Sequence, residues 1–236
     1  ASVAAAAYDA AHHHPDAQTR KQNLAAYEFM VPLVKGFSTE MSLEVTSLGV
    51  QVHGGMGFIE ETGAAQYYRD AKILTIYEGT TAIQANDLVG RKTVRDGGQT
   101  PKALAAQMQN TETELLALGT PDAKAIALRL SAARDALLDV VNFMVDKANS
   151  DPNGAYAGSV PYLMLAGNVI AGWQLARSHV AAHQALANGD TDTAFLQAKQ
   201  VTARFYADHI LSKAPAARDS IVQGAQSVTA MALEAF

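Results

Sequence analysis

Residues 51–92 read QVHGGMGFIEETGAAQYYRDAKILTIYEGTTAIQANDLVGRK. Gly54, Gly55 and Gly57 interrupt the pattern, because closely spaced glycines reach backbone angles that other residues adopt only with strain. A classical dinucleotide-binding turn would follow a strand, and no run of alternating β-branched residues precedes these glycines. Beyond the turn lie an Arg69-Asp70 pair and Glu78, a carboxylate set between apolar Ile76-Tyr77 and Gly79, with a helix mouth just after it. The window reads as helix, glycine turn, helix, acidic turn, helix.

Working outward, the helical period continues in both directions. One helix is predicted over residues 2–13, ending near Pro15. A second covers 18–53, where Leu24, Tyr27, Val31, Val34, Phe37, Met41, Val45, Leu48 and Val52 recur every three or four residues as one apolar stripe, with a kink at Pro32. Shorter helices are expected at 60–71 and 80–94. The stretch RDGGQTP (95–101) is the best boundary, dividing the chain into residues 1–97 and 98–236. Past it, Thr120-Pro121-Asp122 is a helix start: a capping hydroxyl, a proline at the first position and an acid in the first turn. Ser159-Val160-Pro161 opens another helix, which stops at Asn188-Gly189, and two more are expected at 191–212 and 216–234. The fold class is all-α, and its second part reads as an antiparallel helical bundle with short polar loops.

Composition narrows the function classes. The chain has 236 residues, enough for one or two domains with a sizeable core. Its net charge is -5, with no basic stripe for nucleic acid and no polybasic face for anionic lipid. The absence of cysteine removes disulfides, thiolate metal sites and a cysteine nucleophile, but identifies no compartment. No run approaches the roughly 20 apolar residues of a membrane span. The start has no basic segment before its apolar one and does not read as a secretory signal. It begins in the middle of helix-forming sequence, which suggests a piece of a longer protein. His12, His13 and His14 point in different directions on a helix and have no acid at ligand spacing, so they read as a solvated helix end and no metal site is expected. Trp173 and the methionines of the second half fit a bundle core.

Glu78 has a plain reading, as an acid that complements the dipole at a helix N-terminus. Its setting also permits chemistry. Taking a weakly acidic C–H proton α to a thioester needs a carboxylate in a dry pocket, where desolvation favours its protonated form. Gly79 would let a flat substrate approach the backbone closely.

The segments IYEGTTAIQ (76–84), RDAKI (69–73) and QVHGG (51–55) resemble the C-terminal signature of the acyl-CoA dehydrogenases, flavoproteins that desaturate acyl-CoA thioesters. The resemblance implies an FAD cofactor and a catalytic base at Glu78. This base takes the α proton of an acyl-CoA substrate while the β hydrogen leaves as hydride to the flavin. It places Gly79 beside the thioester and Thr80 along the flavin. It further implies that Gln51, Val52, His53, Gly54 and Gly55 contact the ADP portion of the FAD of a neighbouring subunit, hence a homo-oligomer. Arg69 and Asp70 are expected to be structural, holding the loop that carries the base. Many members have glutamine where this chain has Ala82; any flavin contact made there is lost or taken over by Gln84.

This similarity covers residues 1–95 and corresponds to the later helices of the family's C-terminal domain. The N-terminal helical domain, the middle β-domain and the first C-terminal helix have no counterpart here, and in the family they supply the isoalloxazine cradle and most of the acyl-CoA groove. Alone, the chain is expected to be inactive. Residues 102–236 resemble the extra helical domain of a larger bacterial subgroup described as long-chain or 3-methylmercaptopropionyl-CoA dehydrogenases, which implies a homodimer and a cytoplasmic location, with a mitochondrial one left open. Electron-transfer flavoprotein is the expected electron acceptor. An acyl-CoA oxidase would share the base and flavin and hand electrons to oxygen. A non-catalytic relative acting as a binding module is the third reading, against which stand the retained Glu78 and the lack of a basic C-terminal surface.

Overall fold

A computed structural model describes residues 1–235 as an all-α chain, with no strand among them. It divides into two compact units, Ala1–Lys92 and Thr93–Phe236. No helix among the described residues is long and apolar enough to cross a membrane.

In the first unit, α1 (Ser2–His13) and α2 (Ala17–Pro32) form a hairpin. Asp16 caps α2, its carboxylate accepting the Thr19 N–H at 2.7 Å, and Ala4 and Ala7 pack against Met30. The small alanines let the two backbones approach, while Tyr8 meets the edge of Tyr27 at 5.1 Å. The expected helix 18–53 is continuous in direction but not in winding. After Pro32 the chain makes a π-helical stretch, Leu33–Phe37, and then resumes as α3 (Ser38–Val52). Such widened turns accommodate one extra residue per turn and occur mostly as short insertions. The predicted stripe is also not a core. Val45, Leu48 and Val52 are 65%, 57% and 85% exposed, and the buried side chains nearby are instead Phe29, Met30 and Leu33.

The expected helix at 60–71 is a compound element. α4 (Gly55–Phe58) and a 3₁₀ turn (Glu60–Thr62) precede α5 (Ala64–Leu74). The 80–94 prediction becomes α6 (Thr81–Val89) followed by a second π-helical stretch, Gly90–Val94. Ala85, Leu88 and Val89 are the buried face of α6.

The second unit is a bundle of α7 (Gln99–Leu118), α8 (Pro121–Ser150), α10 (Ser159–Ala187), α11 (Thr193–His209) and α12 (Ala214–Val222). The short α9 (Pro152–Ala157) and α13 (Ala225–Val228) sit among them. α7 ends in left-handed Gly119, and Thr120 then caps α8 by accepting the Ala123 N–H at 3.2 Å. Ile126, Leu130, Leu137, Val141 and Met144 descend one face of α8 into the core. Trp173 is buried on α10 with its indole N–H donated to Thr111 Oγ1 at 2.9 Å. Tyr162 is fully buried with its hydroxyl 2.9 Å from Thr93 Oγ1. α10 and the 3₁₀ turn Leu211–Lys213 touch so closely at Gly172 that a Cβ there would stand 2.6 Å from Leu211.

His179 of α10 is 2% exposed, and neither ring nitrogen makes a well-formed hydrogen bond among the described residues. Burial pushes its pKa below the ordinary histidine value, because the charged ring would lose its hydration. Between that depressed value and about 6.5 the unfolded chain holds more protons than the folded one. Stability therefore rises with pH across this window and is complete above it. Urea unfolding should show a loss of stability between pH 7.5 and 5.5, and His179→Leu should flatten that dependence.

Candidate active site

Glu78 lies in the turn between α5 and α6. Thr80 caps α6, with its hydroxyl oxygen 3.4 Å from the Ile83 N–H, and the Thr81 N–H donates to the Thr75 carbonyl at 3.3 Å, closing the turn. Glu78 has φ 45°, the one positive value at a non-glycine position among the described residues. Left-handed backbone costs a residue with a Cβ roughly 1–2 kcal/mol, and such strain persists where the surroundings over-determine it. Gly79 follows at φ 100°, and a Cβ there would come within 2.5 Å of the Gln84 side-chain amide. Glycine is therefore favoured at 79 by its backbone angle, and a side chain there would also have to displace the end of Gln84.

The Glu78 side chain is exposed and takes part in no hydrogen bond or ion pair among the described residues. The dry surroundings expected of a C–H base are not formed by this unit: the flanking Ile76 and Tyr77 are 52% and 47% exposed. What the fold does supply is a carboxylate on a constrained backbone with no internal partner competing for it.

The turn is tied down by residues that the sequence alone did not single out. Lys35 Nζ donates to the Leu74 carbonyl and lies over the Tyr77 ring, 4.8 Å from its centroid. Glu40 of α3 accepts the Thr81 hydroxyl. Arg69, by contrast, pairs with Glu60 at 3.3 Å, and their side chains are 55% and 81% exposed. That contact braces the 3₁₀ turn before α5 and not the turn bearing Glu78, and an exposed pair of this kind contributes little. Asp70 is exposed.

The glycine turn closes α3. His53 ends the helix with Nδ1 2.8 Å from the Gly49 carbonyl oxygen, and Gly54 then adopts φ 61°. Gln51, Val52, His53, Gly54 and Gly55 are all exposed, and beyond the adjoining chain no atom of the described residues lies within 4 Å of the Cβ position at Gly54 or Gly55. The backbone there is open to close approach. The Gly54 N–H is not part of that opening, since it donates to the Gln51 carbonyl at 3.1 Å. Gly57 has a packing role: a Cβ would stand 2.2 Å from the Val50 carbonyl oxygen. Beside the turn, Val50, Phe58, Ile59, Tyr68 and Arg69 line an open hollow of about 590 Å³.

The glycine turn and Glu78 are not brought together. They lie at opposite ends of α5, whose 11 residues at 1.5 Å each span roughly 16 Å. The chain thus presents two separate surfaces, an open glycine backbone and an unpartnered carboxylate. Thr80 and Gly79 accompany the second.

Comparison with known proteins gives these surfaces a context. Residues 1–92 match the family model "Acyl-CoA dehydrogenase, C-terminal domain", and residues 104–232 match "Acetyl-CoA dehydrogenase C-terminal like". The chain is 53% identical over 226 residues to a 3-methylmercaptopropionyl-CoA dehydrogenase of Ruegeria pomeroyi, covering 95% of this chain and 38% of that protein. It is 34% identical over 211 residues to the broad-specificity linear acyl-CoA dehydrogenase FadE5 of Mycobacterium tuberculosis, covering 82% of this chain and 33% of that protein. A butyryl-CoA dehydrogenase of Syntrophomonas wolfei is 44% identical over 80 residues, which is 33% of this chain and 13% of that protein. The chain spans about a third of the length of the first two relatives. With its two units matched to successive C-terminal models of one family, the chain belongs to the acyl-CoA dehydrogenase family.

Proposed function

We propose that this chain is the C-terminal part of an FAD-dependent enzyme that converts acyl-CoA thioesters to trans-2-enoyl-CoA, with Glu78 as the base. The observation that carries the reading is the unpartnered Glu78 carboxylate on left-handed backbone at the mouth of α6, inside the IYEGTTAIQ segment. Residues 1–97 would serve as the later helices of the catalytic C-terminal domain, and residues 98–236 as an added helical bundle.

The residues present fit a partial share of the flavin site. The open backbone at Gly54 and Gly55 leaves room for a flat or charged group, with Gln51, Val52 and His53 exposed beside it. These would contact the ADP portion of FAD held by a neighbouring subunit, and Thr80 would line the flavin of its own. Bound FAD supplies the acceptor for the hydride that leaves the β carbon. Glu78 takes the α proton, whose acidity the thioester raises, and Gly79 admits the thioester to the backbone. The exposed Val45, Leu48 and Val52 form an apolar face of the kind that another domain or subunit covers. This is compatible with a homo-oligomer, for which we favour a dimer. By analogy with its relatives we place the complete enzyme in the bacterial cytoplasm, a mitochondrial location staying open, and have it pass electrons to electron-transfer flavoprotein.

The test is an anaerobic titration of the complete enzyme with acyl-CoAs of graded length, following flavin absorbance. Bleaching by at least one acyl-CoA is expected, and reoxidation by electron-transfer flavoprotein in preference to O₂ separates a dehydrogenase from an oxidase. A protein that holds FAD and is bleached by no acyl-CoA would sink the reading.

A further inference from the structure

Two side chains from outside the α5–α6 segment hydrogen-bond the turn that carries Glu78, among the described residues, and both come from one short stretch. Lys35 reaches the Leu74 carbonyl and the Tyr77 ring ahead of Glu78; Glu40 reaches the Thr81 hydroxyl behind it. Lys35 sits in the π-helical stretch Leu33–Phe37, and Glu40 in the first turn of α3. The widened winding is itself an irregularity of the kind that recurs at functional sites. It occurs where the chain must aim a half-buried ammonium at a carbonyl 39 residues away.

From this geometry we infer that Lys35 is a positioning residue for Glu78, fixing the backbone from which the carboxylate reaches its proton; the inference rests on the reading of Glu78 as the base. The ammonium makes a charge-assisted bond to Leu74 O and stacks against Tyr77, so it holds the incoming limb of the turn at two points. Glu40 holds the outgoing limb through Thr81, and the Gln84 amide fills the space beside Gly79. The strained φ of Glu78 needs such over-determination. Without Lys35 the turn can relax, and the carboxylate loses alignment and not charge.

The experiment uses the complete FAD-loaded enzyme and stopped-flow flavin bleaching under anaerobic conditions with saturating acyl-CoA. Lys35→Met should lower the limiting bleaching rate roughly 10–100-fold, the scale of a misplacement of about 1 Å. FAD content and acyl-CoA dissociation constant should be unchanged. Lys35→Arg, which keeps a donor and a cation, should restore most of the rate. Thr81→Val, which cuts the Glu40 tie, should give a smaller loss with the same pattern, and serves as the test should Lys35→Met not accumulate as folded protein. In a Glu78→Gln background, adding Lys35→Met should cost nothing further, because a residue acting through Glu78 has nothing left to position.

A wild-type limiting rate in Lys35→Met, or in Thr81→Val where that variant must stand in, overturns the proposal. So does a loss confined to FAD or acyl-CoA affinity, which marks a structural role only. An undiminished rate in Glu78→Gln alone overturns the base assignment itself, so the two failures are told apart.

Discussion

Glu78→Gln in the complete enzyme is expected to keep its FAD and its affinity for acyl-CoA while slowing substrate-dependent flavin bleaching by roughly 10²–10⁴-fold, the usual contribution of a positioned base. The substitution preserves shape and hydrogen-bonding reach and removes only the ability to accept the α proton. No internal partner is orphaned, because the Glu78 carboxylate bonds to nothing among the described residues. The loss should therefore appear in the limiting rate and not in binding. Glu78→Gly supplies a second arm. It removes the carboxylate and also the Cβ that makes φ 45° unfavourable. It should raise the unfolding free energy of this chain by about 0.5–1 kcal/mol in a denaturant titration, less than the full cost of left-handed backbone because glycine also loosens the unfolded state. The Gln variant should show no such rise. A more stable Gly variant beside an unchanged Gln variant would assign the strain to the backbone and would place Glu78 among sites where stability is given up for position. Bleaching at the wild-type rate in Glu78→Gln would move the base elsewhere.

Caps and stops were legible in the sequence. Thr120-Pro121-Asp122 gives the start of α8, and Asn188-Gly189 follows the last residue of α10, because these signals are local and chemically specific. The π-helical stretch after Pro32 was not legible as such. A period of three to four residues cannot record one extra residue in a turn, so 18–53 read as one kinked helix. The apolar stripe of that segment shows a different limit. Periodicity identifies a face that must be covered and does not name its cover; here Val52 is left 85% exposed by its own chain. At the site, residue type and spacing mark Glu78 and the glycine turn as local features, and the roles expected of them come from the resemblance of IYEGTTAIQ and QVHGG to the family signature. Lys35 and Glu40 could not be singled out, since their partners stand 39 and 41 residues away and nothing in the local pattern couples them. Arg69 illustrates the converse: the resemblance of RDAKI to the family segment suggested a role in holding the loop of the base, while the chain folds Arg69 onto Glu60.

Removing Arg134 alone, as Arg134→Met, is expected to destabilise the second unit by about 3 kcal/mol, the low end for breaking a buried ion pair. Arg134 of α8 grips Glu112 of α7 with two bonds, Nε to Oε1 at 2.8 Å and Nη2 to Oε2 at 3.2 Å, with the side chains 15% and 10% exposed. Truncating the guanidinium leaves the Glu112 carboxylate buried without its counter-charge, and α7 and α8 lose their cross-link. Arg134 Nη2 also donates to Ser131 Oγ at 3.2 Å and lies 3.3 Å from Asp135, whose side chain is 63% exposed and cannot stand in for Glu112. The double variant Glu112→Leu, Arg134→Met removes both charges and fills the space with apolar atoms. It should recover most of the lost stability, since desolvation of the pair offsets much of its attraction. Denaturant unfolding of the two single variants and the double variant reads the coupling directly. A loss below about 1 kcal/mol in Arg134→Met would put the pair in the range of exposed surface bridges, and water, not Arg134, would then be what satisfies Glu112.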